Sequence, residues 1–284
     1  MKTMNSLSGG KTSSYIAANY PADYNVFSLV RIEDQNCKFK DEKIRKEVED
    51  RIQAPFIATA EEDTIIYTML DLEQYIGQKI DWVTGDTFDQ VTKRGDKTYL
   101  PNVIQRFCTV RMKIDPIAEF WRNNINEPIE TRIGFRANET KRADRMIART
   151  EEDGFLWHRF VVGQNKVYKK WKAFKYQKPR FPLIEDDIYK DQVEDFWKGK
   201  PVRFAYMNNC IGCFHRNELL LKRMSERHPN KFEWFASKER NMGYKSNSGG
   251  FKKGVTYDQI RNSFKQTDLF DDDFNECDSG YCGL

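Results

Sequence analysis

The segment Ser8-Gly9-Gly10-Lys11-Thr12-Ser13-Ser14 constrains this chain more than any other. It stands between residues 1–7, which read as a short strand, and a run from Thr12 to Tyr20 that reads as a helix stopped by Pro21. Glycines in such a turn let the backbone approach an anion closely. The unpaired N–H groups and the positive dipole end of the following helix stabilise negative charge there. Ser8, Thr12, Ser13 and Ser14 add hydroxyl donors, and Lys11 adds a positive charge. An ordinary glycine turn with a Ser/Thr cap would leave a similar trace. The Walker A pattern G-x-x-x-x-G-K-[ST] fits at Gly10-Lys11-Thr12 but needs a glycine where Asn5 stands.

Downstream, strand-like stretches at 25–32, 79–84 and 130–135 alternate with helix-like ones at 41–53, 58–77, 101–125 and 138–149. This alternation predicts an α/β fold, a mainly parallel, Rossmann-like sheet with helices on both faces. The pattern fades after residue 150. Residues 155–163 read as a further strand, 191–197 and 216–229 as short helices, and 238–254 as a loop. The expected organisation is a nucleotide-binding domain over 1–150, a mostly helical extension over 151–266, and an acidic, Cys-bearing tail over 267–284.

The 47 Lys and Arg against 43 Asp and Glu leave a net charge of only +4, which excludes a histone-like polycation. No apolar run reaches the ~18 residues of a membrane span. Residues 1–20 show no leader-type apolar run, so the expected setting is cytoplasmic and free of membrane. In that setting six cysteines argue for metal or redox chemistry rather than a disulfide frame. Cys210-Ile211-Gly212-Cys213-Phe214-His215 places three soft ligands within six residues, with Gly212 allowing a tight turn. Thiolates at this spacing select zinc or an iron–sulfur cluster, and a pair of free thiols is the plain alternative.

The heptad 8–14 matches without a mismatch the S-G-G-x-x-S-S loop of the PP-loop adenine-nucleotide α-hydrolase superfamily. Other segments resemble one branch of it, the phosphoadenosine phosphosulfate (PAPS) reductase family. Gly134-Phe135-Arg136-Ala137-Asn138-Glu139 with Arg142 is similar to that family's G-[IF]-R-A-[DN]-E-x-x-R. Pro182-Leu183-Ile184 followed by Asp191-Gln192-Val193 is similar to its Pro-Leu…Asp-Val segment. Cys108 with Lys113 and Pro116 resembles the Cys-x-x-x-(R)K-x-x-P of its cluster-bearing members.

The resemblance implies an enzyme that binds ATP or PAPS with Mg²⁺ at residues 8–14, with Lys11, Arg136, Glu139 and Arg142 in the reacting region. It implies adenylation, ATP going to AMP and pyrophosphate, coupled to sulfur transfer. Sulfonucleotide reduction is the alternative, and a non-catalytic nucleotide-binding module the second. The implied partners are a nucleic acid, or a sulfur donor such as a cysteine desulfurase or thioredoxin. Cys108 joins Cys210 and Cys213 as a ligand of a [4Fe–4S] cluster, or of zinc, with His215, Cys37, Cys277 or Cys282 completing the set. The reductase's E-C-G-x-H is missing, and Cys277 and Cys282 in the tail could replace its Cys for sulfur or redox work.

Among the remaining features, Lys166–Arg180 interleaves basic and aromatic residues. It reads as a solvated edge, with single-stranded nucleic acid as the functional alternative. His158 and His228 read as structural.

Overall fold

The computed structural model describes residues 1–95, 97–165, 168–242 and 250–263. A six-stranded sheet organises the first part of the chain. Its strands are β1 (Thr3–Leu7), β2 (Tyr24–Ser28), β3 (Ile80–Val83), β4 (Ile129–Arg132), β5 (Leu156–Asn165) and β6 (Tyr168–Arg180). Their spatial order is β3-β2-β1-β4-β6-β5. β1 runs parallel to both β2 and β4, and β6 runs parallel to β4, while β5 turns back antiparallel at the edge. The sheet is therefore mixed and mostly parallel, as the alternating pattern predicts. The antiparallel hairpin follows from a connection too short for a crossover helix.

The chain divides into two compact units, each assembled from three segments. The first comprises Met1–Phe27, Thr68–Asp81 and Ile117–Phe204; the second comprises Ser28–Tyr67, Trp82–Pro116 and the described residues from Ala205 onward. The expected boundary at residue 150 falls inside the first unit. The first unit's core takes Met4 and Leu7 from β1, Val26 and Phe27 from β2, Ile129 from β4 and the fully covered Trp121. The second unit's core is aromatic: Phe88, Phe232, Trp234, Phe235, Phe251 and Tyr257 pack together.

Several expected elements shift for local reasons. The strand expected over 25–32 leaves the sheet after Ser28, because Arg31 and Ile32 pair antiparallel with Thr59 and Ala58. The helix expected from residue 58 consequently starts only at Thr64. The helical stretch from Phe107 to Asn124 passes Pro116 through a π-helical segment, Val110–Ile114, directly before it; the Met112 carbonyl, which the proline cannot bond, accepts from Ser28 Oγ at 2.8 Å. Pro229 ends one helix and opens another, Pro229–Arg240, over residues whose last three were expected to be loop. Among the described residues no helix is long and apolar enough to cross a membrane.

Candidate functional sites in the two units

In the first unit, β1 delivers the glycine loop at its carboxyl end and the helix Lys11–Asn19 leaves it. Gly9 takes a positive φ of 76°, which glycine adopts without the steric cost a side chain would bring. Gly10 is the N-cap, offers no side-chain cap, and no acidic residue occupies the first helical turn. The first-turn amides thus lack both an intrahelical partner and a competing carboxylate. Ser13 holds the loop's shape from inside: its Oγ donates to the Gly10 carbonyl at 3.1 Å and accepts from the Ser8 amide at 3.2 Å. The Ser14 hydroxyl is buried and has no hydrogen-bond partner among the described residues.

Beside β1, β4 leads into Ile133-Gly134-Phe135-Arg136. A Cβ built on Gly134 would stand 3.3 Å from the Thr12 methyl and 3.6 Å from the Ser13 nitrogen, so this glycine lets the segment lie against the loop. Glu139 accepts from the Arg136 amide at 2.9 Å and from its guanidinium at 3.0 Å, and it also pairs with Arg142. Burial pushes the Glu139 carboxyl up, but the Arg136 and Arg142 contacts outweigh that and hold it below the usual carboxylate range. Arg142 lies over the Phe135 ring at 4.2 Å, and Phe135 stacks on Phe181 at 5.3 Å. The Ala137 amide donates to the Ile188 carbonyl at 3.0 Å, which brings the Pro182–Val193 segment to the same place. Lys11, expected to face phosphate, is instead paired with Glu194, and its carbonyl accepts from the Trp197 indole at 3.0 Å.

In the second unit, Cys108, Cys210, Cys213 and His215 line one cleft together with Arg106 and Lys113. Cys108 is held by the short helix Phe107–Thr109, and the C-x-x-C by a turn that three outside groups fasten. The Tyr257 hydroxyl donates to the Gly212 carbonyl at 2.7 Å. Lys252 donates to the Phe214 and Arg216 carbonyls at 3.2 and 2.8 Å. Arg216 reaches the carbonyls of Asn208 and Asn209.

Burial and the neighbouring Cys213 push the Cys108 thiol up to about 11. Cys210 is raised well above its ordinary value by burial and by Glu61, against the pull of Lys113. Burial, with the charges of Arg106 and Lys252, takes His215 down to about 4, so its imidazole is neutral. Its buried Nε2 has no hydrogen-bond partner among the described residues. Cys37 lies away from this cleft, in the core with Asp34, Lys231 and Asp63 as its charged neighbours. Cys277 and Cys282 lie outside the described residues. Among the described residues, no three His, Cys, Asp or Glu side chains form a group that could hold a metal ion.

Glu61, which no sequence pattern marks, is fully buried and bonds Lys113 at 2.9 Å. It sits in an acidic run, Glu61-Glu62-Asp63, that reads as surface until Lys113, His228 and Lys231 are seen to partner it.

Gly212 is a tight point in the wall. A Cβ there would meet Phe235 ring carbons at 2.4 and 2.7 Å, and Phe235 is backed by Phe88 and Phe251. Gly212→Ala is expected to destabilise the protein by about 1–3 kcal/mol through overpacking. Denaturant midpoints measure it; a change below about 0.5 kcal/mol would mean that the wall yields and is not tightly built.

Fold and sites together define an α/β chain with a glycine loop at a helix start in one unit and a thiol-lined cleft in the other. No family model, no curated protein and no solved structure matches it.

Proposed function

We propose that the chain is a PP-loop enzyme with a Rossmann-like fold, similar to the PAPS reductase branch of the adenine-nucleotide α-hydrolases. In this reading it activates a substrate with ATP, releasing AMP and pyrophosphate in the course of sulfur transfer. One observation carries it. Three segments, 8–14, 133–142 and 182–193, the first more than a hundred residues before the others, gather at the carboxyl end of β1, where open α/β sheets bind ligands.

The chain's own groups have distinct work in this reading. The amides after Gly9 cradle the phosphates, and Ser14 supplies a hydroxyl that lacks a partner among the described residues. Arg136 and Arg142, pinned by Glu139, stabilise charge that develops as the phosphate ester breaks. Glu139 is occupied by these arginines, so it orients them rather than holding Mg²⁺. Lys11 orders the loop through Glu194 rather than contacting phosphate.

The cleft in the second unit collects soft donors, three thiols and a neutral imidazole whose buried nitrogen lacks a partner among the described residues, but no three of these side chains are grouped closely enough to hold a metal ion. Cys108, Cys210, Cys213 and His215 would hold a [4Fe–4S] cluster, or zinc in the alternative, only once these side chains draw together. When bound, a cluster would supply electron or sulfur-handling chemistry. Because the thiols of Cys108 and Cys210 favour the protonated form, loading would release protons and weaken at low pH. The gathering of Cys108 with the C-x-x-C also keeps sulfonucleotide reduction as the second reading.

The test is to purify the full chain without oxygen, record its visible absorption and its iron and zinc content, and assay it with ATP and with PAPS. Pyrophosphate release from ATP is the expected result. Sulfite release from PAPS with thioredoxin, and no use of ATP, would replace adenylation by reduction. Failure to bind either nucleotide would end the PP-loop reading.

A further inference from the structure

The β5–β6 hairpin has one face in the core and one face bare. His158, Phe160, Phe174 and Tyr176 share the inner face, where Trp121 meets Tyr176 at 4.8 Å and Phe160 at 6.2 Å. On the other face the register sets Trp157 opposite Lys175, Arg159 opposite Ala173, and Val161 opposite Trp171. Trp157 is 49% exposed and Trp171 54%. From residue 156 to 180 the sequence holds eight Lys and Arg and no Asp or Glu. Lys175 is paired with Asp153, but Arg159, Lys169 and Lys170 have no carboxylate partner among the described residues.

Lysines alone would need no explanation here, since edge strands carry them to prevent pairing with other chains. The two exposed indoles work against that purpose, because large apolar groups on an edge invite association. We propose that this outer face binds single-stranded nucleic acid, stacking bases on Trp157 and Trp171 and placing phosphates at Arg159 and at Lys169, which lies two residues from Trp171 on the same face.

The geometry suits that ligand. Trp157 and Val161 are four residues apart on one strand, so the two indoles stand about 14 Å apart along the ribbon at ~3.4 Å per residue. Arg159 lies between them, opposite the small side chain of Ala173, which leaves space beside the guanidinium. Aromatic platforms interleaved with cations bind single strands with little sequence preference, because every base offers a π-face. A duplex hides those faces, and an anionic membrane offers charge without planar groups. The inference does not depend on the nucleotide reading of the loop.

The experiment uses the full chain and a fluorescein-labelled thymidine oligomer of about 16 nucleotides, followed by anisotropy across a salt series. Binding is expected, with quenching of Trp fluorescence. Trp157→Ala combined with Trp171→Ala should weaken it by about 30-fold or more, the effect of losing two stacked bases. Arg159→Glu with Lys169→Glu should also weaken it and flatten the salt dependence by roughly 0.7 per lost phosphate contact. All four side chains are exposed, so circular dichroism and the denaturation midpoint should not change. Three results would overturn the proposal: no oligomer binding, equal binding after both Trp replacements, or binding to phosphatidylserine vesicles in place of the oligomer.

Discussion

Valine in place of Gly10 is expected to abolish binding of ATP and of PAPS while the protein stays folded. The choice of position matters. Gly10 has φ −92° and ψ 157°, an extended conformation that valine adopts readily. Gly9, at φ 76°, would confound the result, because a side chain there adds a backbone cost of about 1–2 kcal/mol. Gly10 is buried, so the added side chain crowds the first-turn amides and must also find room, which is why the fold is measured beside binding. A phosphate held at a distance loses charge-assisted hydrogen bonds of about 1.5–3 kcal/mol each, so one or two lost bonds lower affinity by roughly 100-fold or more. Equilibrium dialysis with each nucleotide, beside a denaturation curve, separates lost binding from lost fold. Unchanged affinity in a folded variant would remove the loop from the proposed site.

The second large effect concerns stability. Lys113→Met should cost about 3–5 kcal/mol, because it strips the partner from a buried carboxylate. Glu61 is fully covered and bonds Lys113 at 2.9 Å, and the Lys113 side chain is itself only 15% exposed. The nearby Lys231 is committed elsewhere: its ammonium bonds the Glu61 carbonyl and the Asp63 carboxylate. Adding Glu61→Gln to Lys113→Met should recover much of the loss, since a neutral amide is cheaper to bury than an unpaired charge. Chemical denaturation of the single and double variants makes the comparison. A single variant within about 1 kcal/mol of the parent would show that the pair is well solvated and contributes little. The same change removes a positive charge that lowers the Cys210 pKa, so the thiol should react more slowly with an alkylating reagent.

The amino-acid sequence determined the local parts of both sites. Strand, glycine turn and hydroxyl-bearing helix start are encoded within Met1–Asn19, because each rests on neighbours in the chain. The C-x-x-C spacing is local too, but what requires glycine at 212 is Phe235, brought there by the fold. The alternation of strand-like and helix-like stretches likewise carried the mostly parallel sheet.

What the sequence could not carry are the partners supplied from far away. Lys11 reads as a free cation until Glu194 is folded beside it. Glu61, within the stretch expected to be helix from residue 58, gives no sign in sequence of the Lys113 that covers it. The helix Pro229–Arg240 was hidden because proline marks a stop in sequence, whereas here one helix ends and another begins on it. The two-unit division was hidden too, since each unit is made of three separate segments. Spacing along the chain sets backbone conformation within a few residues. Which charges are neutralised, which thiols share a cleft, and which face of a hairpin stays bare are decided only by tertiary packing, because burial and pairing belong to surfaces that meet in space.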